Sequence, residues 1–131
     1  MGDLTKVLKV WGYEVWFANT PEYCGKEIGV TRGYRCSIHH HKIKDETFYM
    51  LDGLMVLELW DERAHRTVRL MSRGDTQRVL PGQEHRFTGL DDSVFIEVST
   101  HHEDSDSYRG VVSGQVSAEE LASLRREMRV S

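Results

Sequence analysis

Gly33-Tyr-Arg-Cys-Ser-Ile-His39-His-His41-Lys-Ile-Lys-Asp-Glu46-Thr-Phe-Tyr-Met-Leu-Asp-Gly53 is the stretch whose reading decides the fold. In a strand, residues two apart point the same way, so His39 and His41 project together while His40 faces outward. The polar Lys42 to Asp45 segment then predicts a β-hairpin turn that returns Glu46 beside them. Two imidazoles and a carboxylate aimed at one point suit a divalent metal with positions left open for water or substrate. Far downstream, Gly74 and Pro81-Gly82-Gln-Glu-His85 offer His85 as a fourth ligand just after a tight turn. A purification tag would be longer and terminal, whereas this histidine run is internal and flanked by strand-like sequence.

The bulk properties set the frame. A chain of 131 residues predicts one domain over 1–131, with one core. Lys plus Arg total 17 against 21 acids, a net charge of −4, with both signs mixed along the chain. Nothing forms a basic stripe, which argues against a nucleic-acid partner. No apolar run approaches the roughly 18 residues that a membrane span needs. Met1 to Lys6 lacks the core of a signal peptide and fits myristoylation poorly. The expectation is a soluble cytoplasmic protein. Cys24 and Cys36 are read as free thiols, with Cys36 packed on the strand face opposite His39.

Strand signals recur at short intervals. They cover Tyr13 to Asn19, Cys24 to Val30, Arg35 to His41, Glu46 to Leu51 and Leu54 to Trp60. Thr67 to Met71, Thr76 to Leu80, His85 to Thr88 and Ser93 to Thr100 complete about nine. Asp52-Gly53 predicts a tight hairpin turn, and Asp61 to Arg66 another turn. This regularity predicts an all-β jelly-roll barrel over about 10–110 that can hold a small ligand. Glu103 to Gly114 reads as irregular. Ser117-Ala-Glu-Glu120 is a capping box, and Leu121, Leu124 and Met128 follow at helical spacing. A helix is therefore predicted from about Ala118 to Arg129. The aromatic stretch Trp11, Tyr13, Val15, Trp16 and Phe17 is read as an element for pairing or packing in a homodimer.

Gly33-x5-His39-x-His41-x4-Glu46-x6-Gly53 resembles the first cupin motif in spacing, and Gly74-x7-Gly82-x2-His85 resembles the second. The proline of the second motif sits one place late, at 81, and Gly89 replaces the usual asparagine; neither change removes a ligand. Within the cupins, three blocks resemble the sugar isomerase branch, namely D-lyxose (D-mannose) ketol-isomerases and mannose-6-phosphate isomerases. They are Trp11-Gly-Tyr-Glu14 with Tyr23-Cys-Gly-Lys26, then Lys42 to Phe48, then Glu97-Val-Ser-Thr100 with Asp104 to Arg109. The resemblance implies one divalent ion, Mn²⁺ before Zn²⁺, Fe²⁺, Ni²⁺ or Co²⁺, held by His39, His41, Glu46 and His85. It implies a small sugar or sugar phosphate as substrate and an aldose–ketose isomerase, an intramolecular oxidoreductase.

The chemistry fits that resemblance. Interconverting an aldose and a ketose needs a metal that stabilises an enediolate oxygen and a group that moves a proton between C1 and C2. On Ser93 to Ser99, strand parity places Glu97 on the same face as Phe95, inward if Phe95 is inward. An apolar cup would raise its pKa toward neutral, as a general base requires. Lys44, two residues before Glu46, is the second catalytic candidate, for stabilising charge on a substrate oxygen. Asp106 and Arg109 are candidates for binding hydroxyls at the mouth, and a solvated turn explains them as well. Two other classes stay open: a redox cupin using the same ligands for oxygen chemistry, and a non-catalytic sugar-binding cupin.

Overall fold

The computed structural model describes residues 4–131. Met1 to Asp3, part of the stretch read above for a leader, lie outside them. The chain folds as β1 Thr5–Lys9, β2 Gly12–Asn19, β3 Cys24–Val30, β4 Tyr34–Arg35, β5 His39–His40 and β6 Glu46–Asp52. It continues through β7 Leu54–Trp60, β8 Arg66–Ser72, β9 Thr76–Val79, β10 Glu84–Gly89 and β11 Ser93–Ser99. A 3₁₀ turn at Asp104–Asp106, β12 Tyr108–Arg109, β13 Gly114–Gln115 and the helix α1 Ala118–Glu127 complete it.

Two antiparallel sheets face one another. The first runs β1-β2-β3-β11-β6-β9. In the second, β10 pairs with β4 and β5 on one side and β7 on the other; β8 lies beyond β7, and β12 and β13 beyond β5 and β4. Sequence pattern explains which strand goes where. β11 alternates, with Ser93, Phe95 and Glu97 buried and Val98 exposed, because one face meets the core and the other does not. β7 reads almost continuously apolar because both its faces are covered. Met55, Leu57 and Leu59 point into the sandwich, while Val56 packs beneath Leu124 of α1 on the outside. The Ser117 hydroxyl caps α1 by accepting from the Glu120 amide at 3.1 Å.

The interior is aromatic at its floor. Phe95 lies 4.8 Å from Phe48 and 5.3 Å from Phe87 between ring centroids, and Trp11 stands edge-on to Phe87 at 4.9 Å. Burying a side chain of this size stabilises the fold by about 2–3 kcal/mol. The floor leaves one end of the sandwich to polar side chains, and the site lies there.

Several expectations need correction. Arg35 to His41 is not one strand: it breaks at Cys36 to Ile38 between β4 and β5. His39 and Glu46 do not form a hairpin, because β5 joins the second sheet and β6 the first. Lys42 to Asp45 is therefore a crossover from one sheet to the other. Asp52-Gly53 is likewise a corner between β6 and β7, which sit in different sheets. The break also turns Cys36 inward, so its thiol lies in the core and accepts from the Phe87 amide. β1 and the short β12 and β13 were not anticipated, and α1 stops at Glu127 rather than Arg129. β2, read as an element for pairing or packing in a homodimer, has both edges occupied, by β1 and β3, which leaves packing through its face, where Phe17 is exposed. Trp11 just before it is buried in the core. No helix among the described residues is long and apolar enough to cross a membrane.

The corner at Gly53 is a strict requirement. Its φ is +90°, and an added Cβ would lie 2.3 Å from the Asp92 carbonyl oxygen. Gly53→Ala is expected to lower stability by about 1–3 kcal/mol. Urea unfolding checks this, and a midpoint equal to that of the parent rejects it.

Candidate metal centre and its cavity

A cavity of about 260 Å³ opens at the polar end of the sandwich. The second sheet supplies one wall. His39 on β5 is the cross-strand partner of His85 on β10, and their rings lie 4.2 Å apart. His41 follows at the start of the crossover, its ring 5.3 Å from that of His39. One ligand nitrogen from each of these histidines lies within 4.8 Å of the others. His40 points away and stacks on Tyr108.

The three rings are oriented by the same device. Nδ1 of His39 lies 2.8 Å from the Ser37 carbonyl, that of His41 3.1 Å from the Asp106 carbonyl, and that of His85 3.0 Å from the Gln83 carbonyl. A carbonyl only accepts, so each Nδ1 carries a proton and each ring turns its Nε2 inward. Burial holds His39 well below its ordinary value and lowers His41 to about 4. Both are therefore neutral near pH 7, the form that binds metal.

Glu46 opens β6 and enters from the opposite sheet. Its Oε1 lies 3.2 Å from His85 Nε2, and its Oε2 lies 3.9 Å from His41 Nε2. His85 Nε2 and Glu46 Oε2 have no hydrogen-bond partner among the described residues. Buried polar atoms thus face one another unpartnered, which is costly without a cation between them. A proton relieves one such pair; a divalent ion relieves all of them. With three imidazoles and a carboxylate, the donor set fits such an ion.

Beside these candidate ligands lies a second group of charges. Lys44, 3% exposed, places Nζ 2.7 Å from Glu97 Oε2 and 3.2 Å from Glu46 Oε2. It is not a surface loop lysine. Glu97 faces inward with Phe95, opposite Lys26 on β3 and Phe48 on β6. Burial and the neighbouring Glu46 carboxylate raise the Glu97 pKa despite the two lysines. Burial opposes the charge on Lys44, but Glu97 and Glu46 outweigh it and keep the ammonium protonated.

The structure revises the substrate-binding candidates. Asp106 does not present a free carboxylate at the mouth. Its oxygens accept from the backbone amides of Lys42, Ile43 and Lys44 at 3.0–3.3 Å. It holds the crossover that carries Lys44, while its carbonyl holds His41. Arg109 does line the cavity, on the strand paired with β5. Of the other arginines, Arg35 and Arg86 are tied elsewhere, to Glu120 and Glu58. Sequence reasoning missed Lys26, which pairs with Glu14 at 3.2 Å, and His102, which reaches Lys44. Strand parity on β3 flags Lys26, which shares a face with Cys24 and Ile28.

No family model and no curated protein sequence matches this chain. Solved structures do. An oxalate decarboxylase from Bacillus subtilis matches with a TM-score of 0.74 at 16% identity, over 98% of this chain and 36% of that one. The chain thus spans about a third of that protein's length. KdgF from Halomonas sp. matches at 0.66 with 23% identity, over 79% of this chain and 90% of that one. CapF of Staphylococcus aureus, a capsular polysaccharide assembling protein, matches at 0.72 with 17% identity, over 86% of this chain and 33% of that one. At these identities the likeness establishes the fold: a cupin jelly roll with a short C-terminal helix.

Two outcomes follow from the centre. His41→Ala is expected to abolish stoichiometric metal measured by elemental analysis after loading; full occupancy rejects it. The metal-free protein also carries a pH signature. His41 takes up a proton near 6.5 when unfolded but only at about 4 when folded. The unfolded chain thus binds more protons between those values, and stability falls as pH drops through that window. Urea midpoints of chelator-treated protein should decline over it and decline less for His41→Ala; a flat profile in the parent contradicts the assignment.

Proposed function

We propose that the chain is a metal-dependent isomerase that interconverts an aldose and a ketose of a small sugar or sugar phosphate. The observation that carries this reading is the Lys44–Glu97 pair set beside three convergent imidazoles and Glu46 in one cavity. His39, His41, Glu46 and His85 would hold the ion, which supplies Lewis acidity to adjacent substrate oxygens. The similarity to a Bacillus subtilis oxalate decarboxylase described with Mn(II) centres supports Mn²⁺ as the first metal to test.

The remaining work falls to side chains of the chain. Glu97, in a water-poor cup with a raised pKa, is suited to take a proton from one carbon and return it to the next. Lys44 stays charged and can donate to the oxygen that gains negative charge during that transfer. Phe48, Phe87 and Trp11 limit water behind the reacting carbons. Arg109 at the mouth offers a donor to the far end of the substrate. The same four candidate ligands would also serve a redox cupin, the competing reading, which would consume oxygen.

A screen of pentoses, hexoses and their phosphates with Mn²⁺ should yield aldose–ketose conversion without oxygen uptake. Glu97→Gln keeps size but cannot accept a proton, so turnover should fall by ~10²-fold or more with metal content intact. Conversion at the parent rate by that variant overturns the assignment of the base. Oxygen consumption coupled to substrate loss overturns the isomerase.

A further inference from the structure

Lys44 is gripped from a third side. The segment after β11 belongs to no long strand, yet it is fastened to the crossover: Thr100 N donates to the Asp45 carbonyl at 3.0 Å, and Asp45 N to Thr100 Oγ1 at 3.2 Å. Two residues on, the His102 backbone is clamped by the Asn19 side chain. Its N–H donates to Asn19 Oδ1 at 3.0 Å, and Asn19 Nδ2 donates to its carbonyl at 3.3 Å. The His102 ring, 8% exposed, stands edge-on to Trp16 at 5.0 Å. Main chain and ring are thus both fixed before any substrate arrives.

The ring has two partners. His102 Nδ1 lies 3.2 Å from Lys44 Nζ, and Nε2 lies 2.8 Å from Asp104 Oδ1. An ammonium only donates, so Nδ1 must accept and Nε2 must carry the proton given to Asp104. Three groups therefore surround the ammonium: Glu97 at 2.7 Å, Glu46 at 3.2 Å and His102 at 3.2 Å. The two carboxylate oxygens sit at ion-pair distance but out of line for a hydrogen bond. The aligned contact is the one to His102. Carboxylates thus attract the ammonium, and the imidazole sets its direction.

We propose that Asp104 and His102 are positioning residues: Asp104 fixes the His102 tautomer, and His102 sets the direction of the Lys44 ammonium, holding it closer to Glu97 than to Glu46. Without the ring, the ammonium is free to close further on Glu46 Oε2, now 3.2 Å away, at the expense of its 2.7 Å contact with Glu97. This parallels the way a second partner orients a ligating histidine, with a lysine in the ligand's place. The catalytic consequence rests on the isomerase reading above; the geometric claim does not.

The test separates the two. In ¹⁵N-labelled parent protein, His102 should titrate out as the Nε2–H tautomer, and a protonated Nδ1 at neutral pH overturns the proposal. His102→Phe keeps the packing on Trp16 and removes the acceptor; His102→Asn retains an acceptor near Nδ1. The Lys44 ammonium resonance should move in the Phe variant and stay near its parent position in the Asn variant, with metal content equal in all three. On a substrate that turns over, the Phe variant should lose about 10- to 100-fold in kcat with KM little changed, and Asn should recover most of it. Equal ammonium spectra in both variants, or equal losses in both, overturn the positioning role. If no sugar is converted by the parent, the tautomer and the ammonium spectra still decide it.

Discussion

A lysine buried between two buried carboxylates is the constraint on which the rest of the cup depends. Lys44, Glu46 and Glu97 are all nearly inaccessible to water. Removing one member of such a group strands its partner's charge and costs about 3–5 kcal/mol, whereas a well-packed apolar replacement for the whole group is often neutral or stabilising. The cluster is thus not explained by stability. Its position beside three imidazole nitrogens, at the open end of an otherwise apolar interior, fits chemistry instead.

The second feature of the site is its division between sheets. His39 and His85 belong to the second sheet, His41 to the crossover and the carboxylates to the first sheet, so neither sheet alone contains a complete set. The crossover from His41 to Asp45 spans the gap, and Asp106 secures it with a carboxylate that takes three amide donors. Burial alone would raise the Asp106 pKa, but those amides hold it below its ordinary value. One residue thereby fixes His41 through its carbonyl and Lys44 through its carboxylate. Site geometry and closure of the sandwich are in this way the same event, and loosening the 104–107 segment would disturb both at once.

The outer faces serve a different purpose. Glu58 sits under Arg66 and Arg86 on the side of the second sheet that α1 covers, and Arg66 also reaches Glu127 of the helix. Together with Leu124 packed near Val56 and Leu90, this holds α1 against the barrel. That packing leaves the cavity end free, so α1 contributes to the rigidity of β7 and β10 rather than to the lining.

What the sequence determined by itself is local. Alternation on β11 placed Glu97 and Phe95 on one face, the spacing His39-x-His41 placed two imidazoles together, and Ser117 with Glu120 marked the start of α1. Strand periodicity and capping depend on neighbours in the chain, so they are legible there. Tertiary structure decided the rest. Whether Lys42 to Asp45 made a hairpin or a crossover depended on which sheet β6 joined, and strand partners lie far apart in sequence. The inward turn of Cys36, the engagement of Asp106 by backbone amides and the reach of His102 to Lys44 likewise need contacts across 51, 62 to 64 and 58 residues of chain. The physical reason is common to all of them: a backbone amide or an ammonium takes whatever acceptor the closed sandwich brings near it, and no spacing along the chain encodes that approach.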